Sequence, residues 1–363
     1  MARVVFHIDV NSAFLSWSAK QVLEKWYTRD IRNEVSIVWF KEKGKSIVIA
    51  ASSPAKKIWI KVPMRIYEAQ KIYPKIVIAP PDYEYYKKCS DEMMEIIRSK
   101  FKVFQQYSID ECFVEYTEDM QEIYWNPVSV ANELREYIYK KCWFTVNVWI
   151  GNNKLLAKMA SEFEKPNKTH TLYSDEVKEK MWPLPIRNLF WCWNKTEKEL
   201  KKLWILSIWH LANKTRDELK ARMWTYGVQM WEFANGIDDS KVEDIYDDRK
   251  WIWASSITKI DTKDREYILT FLEEFATELA YELKDRKKVW DIIHVHVRYT
   301  NYKHKSHQLK FANPINKVEE IYSLAIKLFD ELWDWKSEIN LVWLSISWLK
   351  DERVKQIPIF NYM

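Results

Sequence analysis

Glycine is the residue this chain most conspicuously lacks. It has 4 in 363 residues, against 21 tryptophans. A backbone needs glycine where it turns with positive φ or passes close to a neighbour, because a Cβ there is strained or in the way. At average usage of about 7% a chain this long holds roughly 25 glycines, and glycine and tryptophan together make 25 here. The stretch NLFWCWNKTEKELKKL, Asn188 to Leu203, shows the difficulty. Thr196 and the charged, leucine-punctuated run after it read as the start of a helix. Just before it, Trp191 and Trp193 flank Cys192 where a tight turn belongs.

Apolar residues make up 47% and charged residues 30% of the chain, the profile of a soluble globular protein with room for two or three domains. The net charge of +5 permits a polyanionic partner without demanding one. The opening MARVVFHIDV has too short an apolar run for a signal peptide, and no stretch reaches membrane-span length. Cys89, Cys112, Cys142 and Cys192 are scattered without a CxxC, which predicts reduced, buried thiols in a cytoplasmic protein and excludes a zinc site or a disulfide frame.

To about residue 170 the pattern alternates. RVVFHIDV, VSIVWF, SIVIAAS, KIVIAPP and FTVNVWIG read as strands, and Tyr83–Lys100 and PVSVANELREYIYKKC as amphipathic helices. FQQYSIDECFVEYT reads as a hairpin with acids at its tip. Residues 175–240 read as short helices and VEDIYDDRKWIWASS as a linker, and from about residue 254 a second α+β unit has its own core.

Asp9 closes an apolar strand, and Asp110 and Glu111 lie between apolar strands. Carboxylates embedded in such sequence are costly to bury unless paired or bound to cations. Converging from two strands, they would suit two Mg²⁺ ions for phosphoryl transfer. Adjacent strand residues face opposite ways, so Glu111 joins Asp110 only through a turn or bulge. The pattern alone favours the plainer reading, acids at strand ends that cap turns and face water.

FHIDVNSAF and YSIDECFVEYT resemble the two metal-binding motifs of Y-family DNA polymerases, in the bacterial DNA polymerase IV (DinB-like) branch. NVWIGNNKLLAKMASEFEKPN, MWPLPIRNLF and WEFANGIDDSKV match the same family in the same order, so the resemblance covers nearly the whole chain. It implies an α+β multidomain right hand, with palm at 1–12 and 80–172, fingers at 13–79 and a helical thumb with a helix-hairpin-helix at 173–240. A linker at 241–253, an α+β little finger at 254–350 and a tail at 351–363 complete it.

The resemblance also assigns roles. Asp9, Asp110 and Glu111 would be catalytic and, with the carbonyl of Val10, would hold two Mg²⁺ ions; Phe14 would be a steric gate against ribonucleotides. Ser53, Lys56 and Lys165 would bind the incoming dNTP, although Lys56 stands where relatives commonly carry Arg and Ser53 where they often carry Tyr. Trp191, Trp193, Lys195 and Thr196 in the hairpin, and Arg298, Lys303, Lys305 and Lys310 in the little finger, would contact primer-template DNA. Among the histidines, HVHVR places His294 and His296 on one strand face, and His304 and His307 suit phosphate. The tail QIPIF, with Gln356, Ile359 and Phe360, resembles a sliding-clamp-binding peptide. The implied protein is a monomeric, error-prone, non-proofreading translesion polymerase. A catalytically inactive DNA-binding relative and another two-metal phosphotransferase with a palm-like domain are the alternatives.

Tryptophan stands where relatives carry glycine at Trp59, Trp149, Trp191, Trp193, Trp204, Trp251, Trp253, Trp290 and Trp343, whereas Trp182 and Trp231 look genuine. Some bacteria read UGA as glycine, and translation of such a gene with UGA as tryptophan would give this composition.

Overall fold

The computed structural model describes residues 3–25, 29–42, 45–124, 126–162, 166–243, 250–315, 317–347 and 350–351. The chain divides into two compact units, residues 1–40 with 47–245, and residues 41–46 with 246–363.

The first unit starts with β1 (Val5–Val10) and α1 (Ala13–Glu24). A small sheet follows, made of β2 (Ser36–Glu42), β3 (Lys45–Ala51) and β4 (Val77–Ala79) in the order β3-β2-β4, with the short helices α2 (Ser53–Lys57) and α3 (Ile66–Ile72) between β3 and β4. Next come α4 (Tyr83–Arg98), β5 (Val103–Gln106), β6 (Glu111–Glu115), α5 (Glu118–Ile123), α6 (Pro127–Cys142), β7 (Val146–Gly151), α7 (Lys154–Met159) and β8 (Thr169–Leu172). The strands β5-β6-β1-β7-β8 form one sheet, antiparallel except for the β7–β8 pair.

β1 sits at the centre of this sheet and is covered on both sides, which is why it reads as an almost unbroken apolar run. Phe6, Ile8 and Val10 face one layer, packed with Tyr86, Cys89, Met93 and Ile97 of α4 and Ala131, Leu134 and Ile138 of α6. Asp82 caps α4 by accepting from the Tyr85 N–H at 3.0 Å. Asn126 caps α6 the same way, and Pro127 fills its first turn. On the other face α7 lies hard against the end of β7. A Cβ on Gly151 would meet the Ala157 nitrogen at 2.6 Å, so only glycine lets α7 approach this closely.

After β8 the chain is helical, with α8 (Asn194–Lys202), α9 (Ile208–Ala212) and α10 (Arg216–Ala234). α10 is two helices joined across Trp224, whose φ 57° and ψ −145° are not helical. The bend brings the halves together at Gly227, where a Cβ would sit 2.3 Å from the Leu219 carbonyl oxygen.

The second unit comprises β9 (Trp251–Thr262), α11 (Arg265–Asp285), β10 (Lys288–Tyr299), β11 (His304–Ile315), α12 (Val318–Leu332), β12 (Ile339–Ser347) and β13 (Lys350–Asp351). The antiparallel order is β11-β10-β12-β9, with β13 on β10. Ile293, Val295 and Val297 of β10 pack with α11 and α12 into one core. β9 begins at Trp251, inside the stretch expected to be linker, because strand pairing with β12 continues to the Trp251–Ser347 pair. All four cysteines are buried free thiols. Among the described residues no helix is long and apolar enough to cross a membrane.

Ten described non-glycine residues have positive φ, and six of them are tryptophans: Trp59, Trp143, Trp191, Trp204, Trp224 and Trp335. A left-handed backbone costs an L-residue about 1–2 kcal/mol, and a bulky residue there is an outlier. None of the six recovers that cost by burial, since each indole is 41–81% exposed. Trp224→Gly is therefore expected to stabilise the chain by about 1–2 kcal/mol, whereas Trp224→Ala, which keeps the Cβ, gives little of that gain. Urea unfolding of the parent and both variants checks this; equal midpoints for the parent and Trp224→Gly would contradict it.

Candidate active site

Strand register sets the acids. Asp9 lies directly opposite Glu111 across the β1–β6 pair and opposite Asn147 across β1–β7. Opposed residues share a face, so Asp9, Glu111 and Asn147 point the same way, with His7 two residues back along β1. Asp110 is in the turn that leads into β6. Its carbonyl accepts from the Val10 N–H at 3.1 Å, which ties the turn to the end of β1. The Ser108 hydroxyl donates to Asp110 Oδ1 at 2.6 Å, and the Asp110 N–H donates back to Ser108 Oγ at 3.3 Å. One acid thus sits in a turn and the next in a strand, so the strict alternation of strand faces does not hold between them.

A polar frame supports the strand end. Asn147 Nδ2 donates to Asn11 Oδ1 at 2.6 Å, and Asn11 Nδ2 donates to Thr145 Oγ1 at 3.0 Å. The Lys168 N–H donates to Asn147 Oδ1 at 3.1 Å.

Glu111 is held from two sides. The Lys158 ammonium, from α7, donates to Glu111 Oε2, and His7 Nε2 lies 3.0 Å from the same oxygen. Burial opposes ionisation of Glu111, but the hydrogen bond and charge of His7 and the charge of Lys158 prevail and hold its carboxyl down at about 2. An ionised carboxylate only accepts, so His7 Nε2 carries the proton. The His7 ring is fully buried, stacked on Trp149 at 5.2 Å and 4.8 Å from Phe113. Among the described residues no three His, Cys, Asp or Glu side chains gather closely enough to hold a metal ion. Glu111 is turned to its two basic neighbours instead. The donor chemistry nonetheless fits divalent ions, because partly exposed Asp9 and Asp110 are hard oxygen ligands of the class Mg²⁺ takes.

Phe14, in the first turn of α1, is half-buried and stacks on Tyr86 at 5.1 Å with Tyr83 edge-on at 6.0 Å. Ser53 is exposed at the start of α2, and the structural serine is its neighbour Ser52, which caps α2 through the Ala55 N–H at 3.1 Å. Lys56 is exposed, with its ammonium 3.2 Å from Ser12 Oγ. Lys165 lies outside the described residues, as do Gln356, Ile359 and Phe360.

The hairpin before α8 carries Trp191 and Trp193 exposed and Cys192 buried. The Cys192 N–H returns to the Leu189 carbonyl at 2.9 Å and the Trp193 N–H to the Trp191 carbonyl at 3.0 Å. Lys195 is exposed, whereas Thr196 Oγ1 is 3.1 Å from the Tyr226 hydroxyl, which itself donates to the Trp191 carbonyl at 2.7 Å. Beside the hairpin a cavity of about 660 Å³ runs from Lys158 to Lys195.

In the second unit the four basic residues do not form one stripe. Arg298 and Lys310 lie on the sheet face away from the helices, with His294, His296 and His304. Arg298 Nε donates to Asn340 Oδ1 at 2.8 Å, and His296 Nε2 is 2.7 Å from His304 Nδ1. Lys305 opposes buried Val297, so it lies on the helix side, its ammonium 5.9 Å from the Tyr299 ring centre. His307 lies on that side too, 3.3 Å from Glu331 of α12. Lys303 is in the exposed turn between β10 and β11.

Reading the sequence missed His7, Lys158 and Asn147. His7 had a usable signal, since two residues before Asp9 on a strand is the same face. Lys158 had none, because its approach depends on how α7 packs.

Comparison with known proteins agrees with this architecture. Residues 8–162 match the impB/mucB/samB family and residues 249–359 the C-terminal domain of that family. DNA polymerase IV of Clostridium acetobutylicum is 38% identical over 99% of this chain and 91% of its own length. DNA polymerase IV 1 of Bacillus subtilis is 27% identical over 99% of this chain and 86% of its own. A solved Y-family DNA polymerase chimera superposes with a TM-score of 0.83 at 21% identity, covering 95% of this chain and 98% of that one.

Proposed function

The chain belongs to the Y family of DNA polymerases, in the bacterial DNA polymerase IV branch, and from that premise we propose that Asp9, Asp110 and Glu111 carry its template-directed nucleotidyl transfer by a two-metal mechanism. It is a DNA-directed DNA polymerase of the translesion type. The observation that supports this assignment of the acids is the strand register, Asp9 opposite Glu111 with Asp110 tied to Val10. Asp9, Asp110, Glu111 and the Val10 carbonyl would hold the ions, with Glu111 on the primer 3′-hydroxyl side. Two Mg²⁺ ions, when bound, supply stabilisation of the attacking and leaving oxygens.

The chain's own residues orient and select. Phe14, braced on Tyr86, presents its ring to the sugar and excludes a 2′-hydroxyl. Lys56 neutralises the triphosphate as a point charge without the two-pronged grip of an arginine, joined by Ser53 and Lys165. Trp191, Trp193, Lys195 and Thr196 bring the start of α8 to a DNA phosphate, and Arg298 and Lys310 from one face of the sheet, Lys305 from the other and Lys303 from the turn between β10 and β11 add sequence-independent backbone contacts. Gln356, Ile359 and Phe360 are the proposed link to a sliding clamp, and the polymerase is proposed to act as a cytoplasmic monomer.

Primer extension with dNTPs and Mg²⁺ tests the acids. Asp110→Ala is expected to lose at least about a hundredfold in rate while retaining primer-template binding. Extension at the parental rate would overturn the assignment, and failure of the parent itself to extend a primer that it binds would favour an inactive relative. The gate has a separate readout. Phe14→Ala is expected to relax the preference for dNTPs over rNTPs by at least about tenfold, and an unchanged preference removes Phe14 from that role.

A further inference from the structure

We propose that Lys158 is a positioning residue for Glu111, a tethered counter-cation that holds the carboxylate in place and gives it up when the site is loaded with a divalent ion. Lys158 and Glu111 are both about four-fifths covered, at 20% and 19% side-chain exposure. Both Lys158 Nζ and His7 Nε2 engage the same oxygen, Oε2, and the Lys158 ammonium is also 3.5 Å from His7 Nε2 and 5.7 Å from the Tyr107 ring centre. Mg²⁺ requires near-octahedral oxygen ligands at about 2.0–2.1 Å, and a cation that close to Oε2 repels an ammonium already in contact with it. Lys158 therefore competes with the ion. Gly151 brings α7 against β7 and so puts the lysine within reach, while the cavity beside the hairpin gives its side chain somewhere to go.

This rests on the reading of Glu111 as a metal ligand, and the test separates the two. Mn²⁺ binding to the full-length, DNA-free protein is measured by electron paramagnetic resonance for the parent, Lys158→Met, Lys158→Arg and Glu111→Gln, with thermal unfolding to confirm folding. Lys158→Met is expected to bind Mn²⁺ about tenfold more tightly, Lys158→Arg to bind like the parent, and Glu111→Gln more weakly. Unchanged or weaker binding by Lys158→Met, with Glu111→Gln still impaired, overturns the role of Lys158. Parental binding by Glu111→Gln overturns the metal-ligand reading of Glu111.

Independently, the backbone geometry points to glycine, not tryptophan, in the native chain at positions 59, 143, 191, 204, 224 and 335. These are the six tryptophans with left-handed φ and exposed rings. A second group behaves as tryptophan should: the indole N–H of Trp182 donates to the Ala234 carbonyl at 3.0 Å, that of Trp231 to the Lys214 carbonyl at 2.8 Å and that of Trp333 to the Ser337 carbonyl at 3.0 Å. A host that decodes UGA as glycine and UGG as tryptophan produces this division. The structure thus extends the candidates to Trp143, Trp224 and Trp335 and sorts them by a physical criterion. Trp149, Trp193, Trp251, Trp253, Trp290 and Trp343 have no positive φ, so backbone strain does not separate them.

The codons of the gene and tryptic peptides of the natively expressed protein test this. UGA codons with glycine-containing peptides are expected at the six positions, and UGG codons with tryptophan at 182, 231 and 333. UGG codons, or tryptophan in the native peptides, at the six positions would overturn it.

Discussion

The site depends on the pairing of β1 with its two neighbours. A register slip of one residue would turn Asp9 and His7 into the apolar layer and send Phe6, Ile8 and Val10 to the polar face. The layer formed by α4 and α6 forbids that slip, because it takes Phe6, Ile8 and Val10 as part of its core. The hydrophobic core and the register of the acids are therefore one constraint: the residues that bury one face of β1 fix which carboxylates lie on the other.

The charge on that other face is balanced within the protein. Glu111 is deep enough for burial to oppose its ionisation, yet it is paired with Lys158 and His7 and stays charged. The pairing keeps a carboxylate ionised in a half-closed site. It also means that the acid proposed to serve the primer end is engaged by a protein cation. Asp9 and Asp110 are partly exposed as well.

The helical part of the first unit meets a different constraint. Its turns at Trp191, Trp204 and Trp224 are left-handed, and a hairpin that approaches a phosphate through backbone N–H groups has no room for an indole. At Trp191, with its left-handed backbone, an aromatic clamp on DNA is thus a poorer account than a turn that should carry little side chain. The same reasoning separates this hairpin from Trp182, whose indole N–H is used.

Much was legible in the sequence. Apolar alternation located the central strands, α4, α6, α11 and the strands of the second unit, and the motifs around Asp9 and Asp110 named the family that the comparisons bear out. β9 starts earlier than its sequence signal, because strand ends are decided by a partner, here β12, that local composition does not show. Arg298 and Lys305 looked equivalent as cations, but residue parity across β10 and β11 puts them on opposite faces. Sequence alone supplied the family resemblance, on which the roles of Asp9, Asp110, Glu111 and Phe14 are proposed, and the shortage of glycine, because motifs and composition are read without a fold. Only the tertiary structure decided that Lys158 and His7 hold Glu111 and which tryptophans sit on left-handed backbone. Contacts between residues 7, 111 and 158 depend on how distant segments pack, and φ is set by the path of the folded chain.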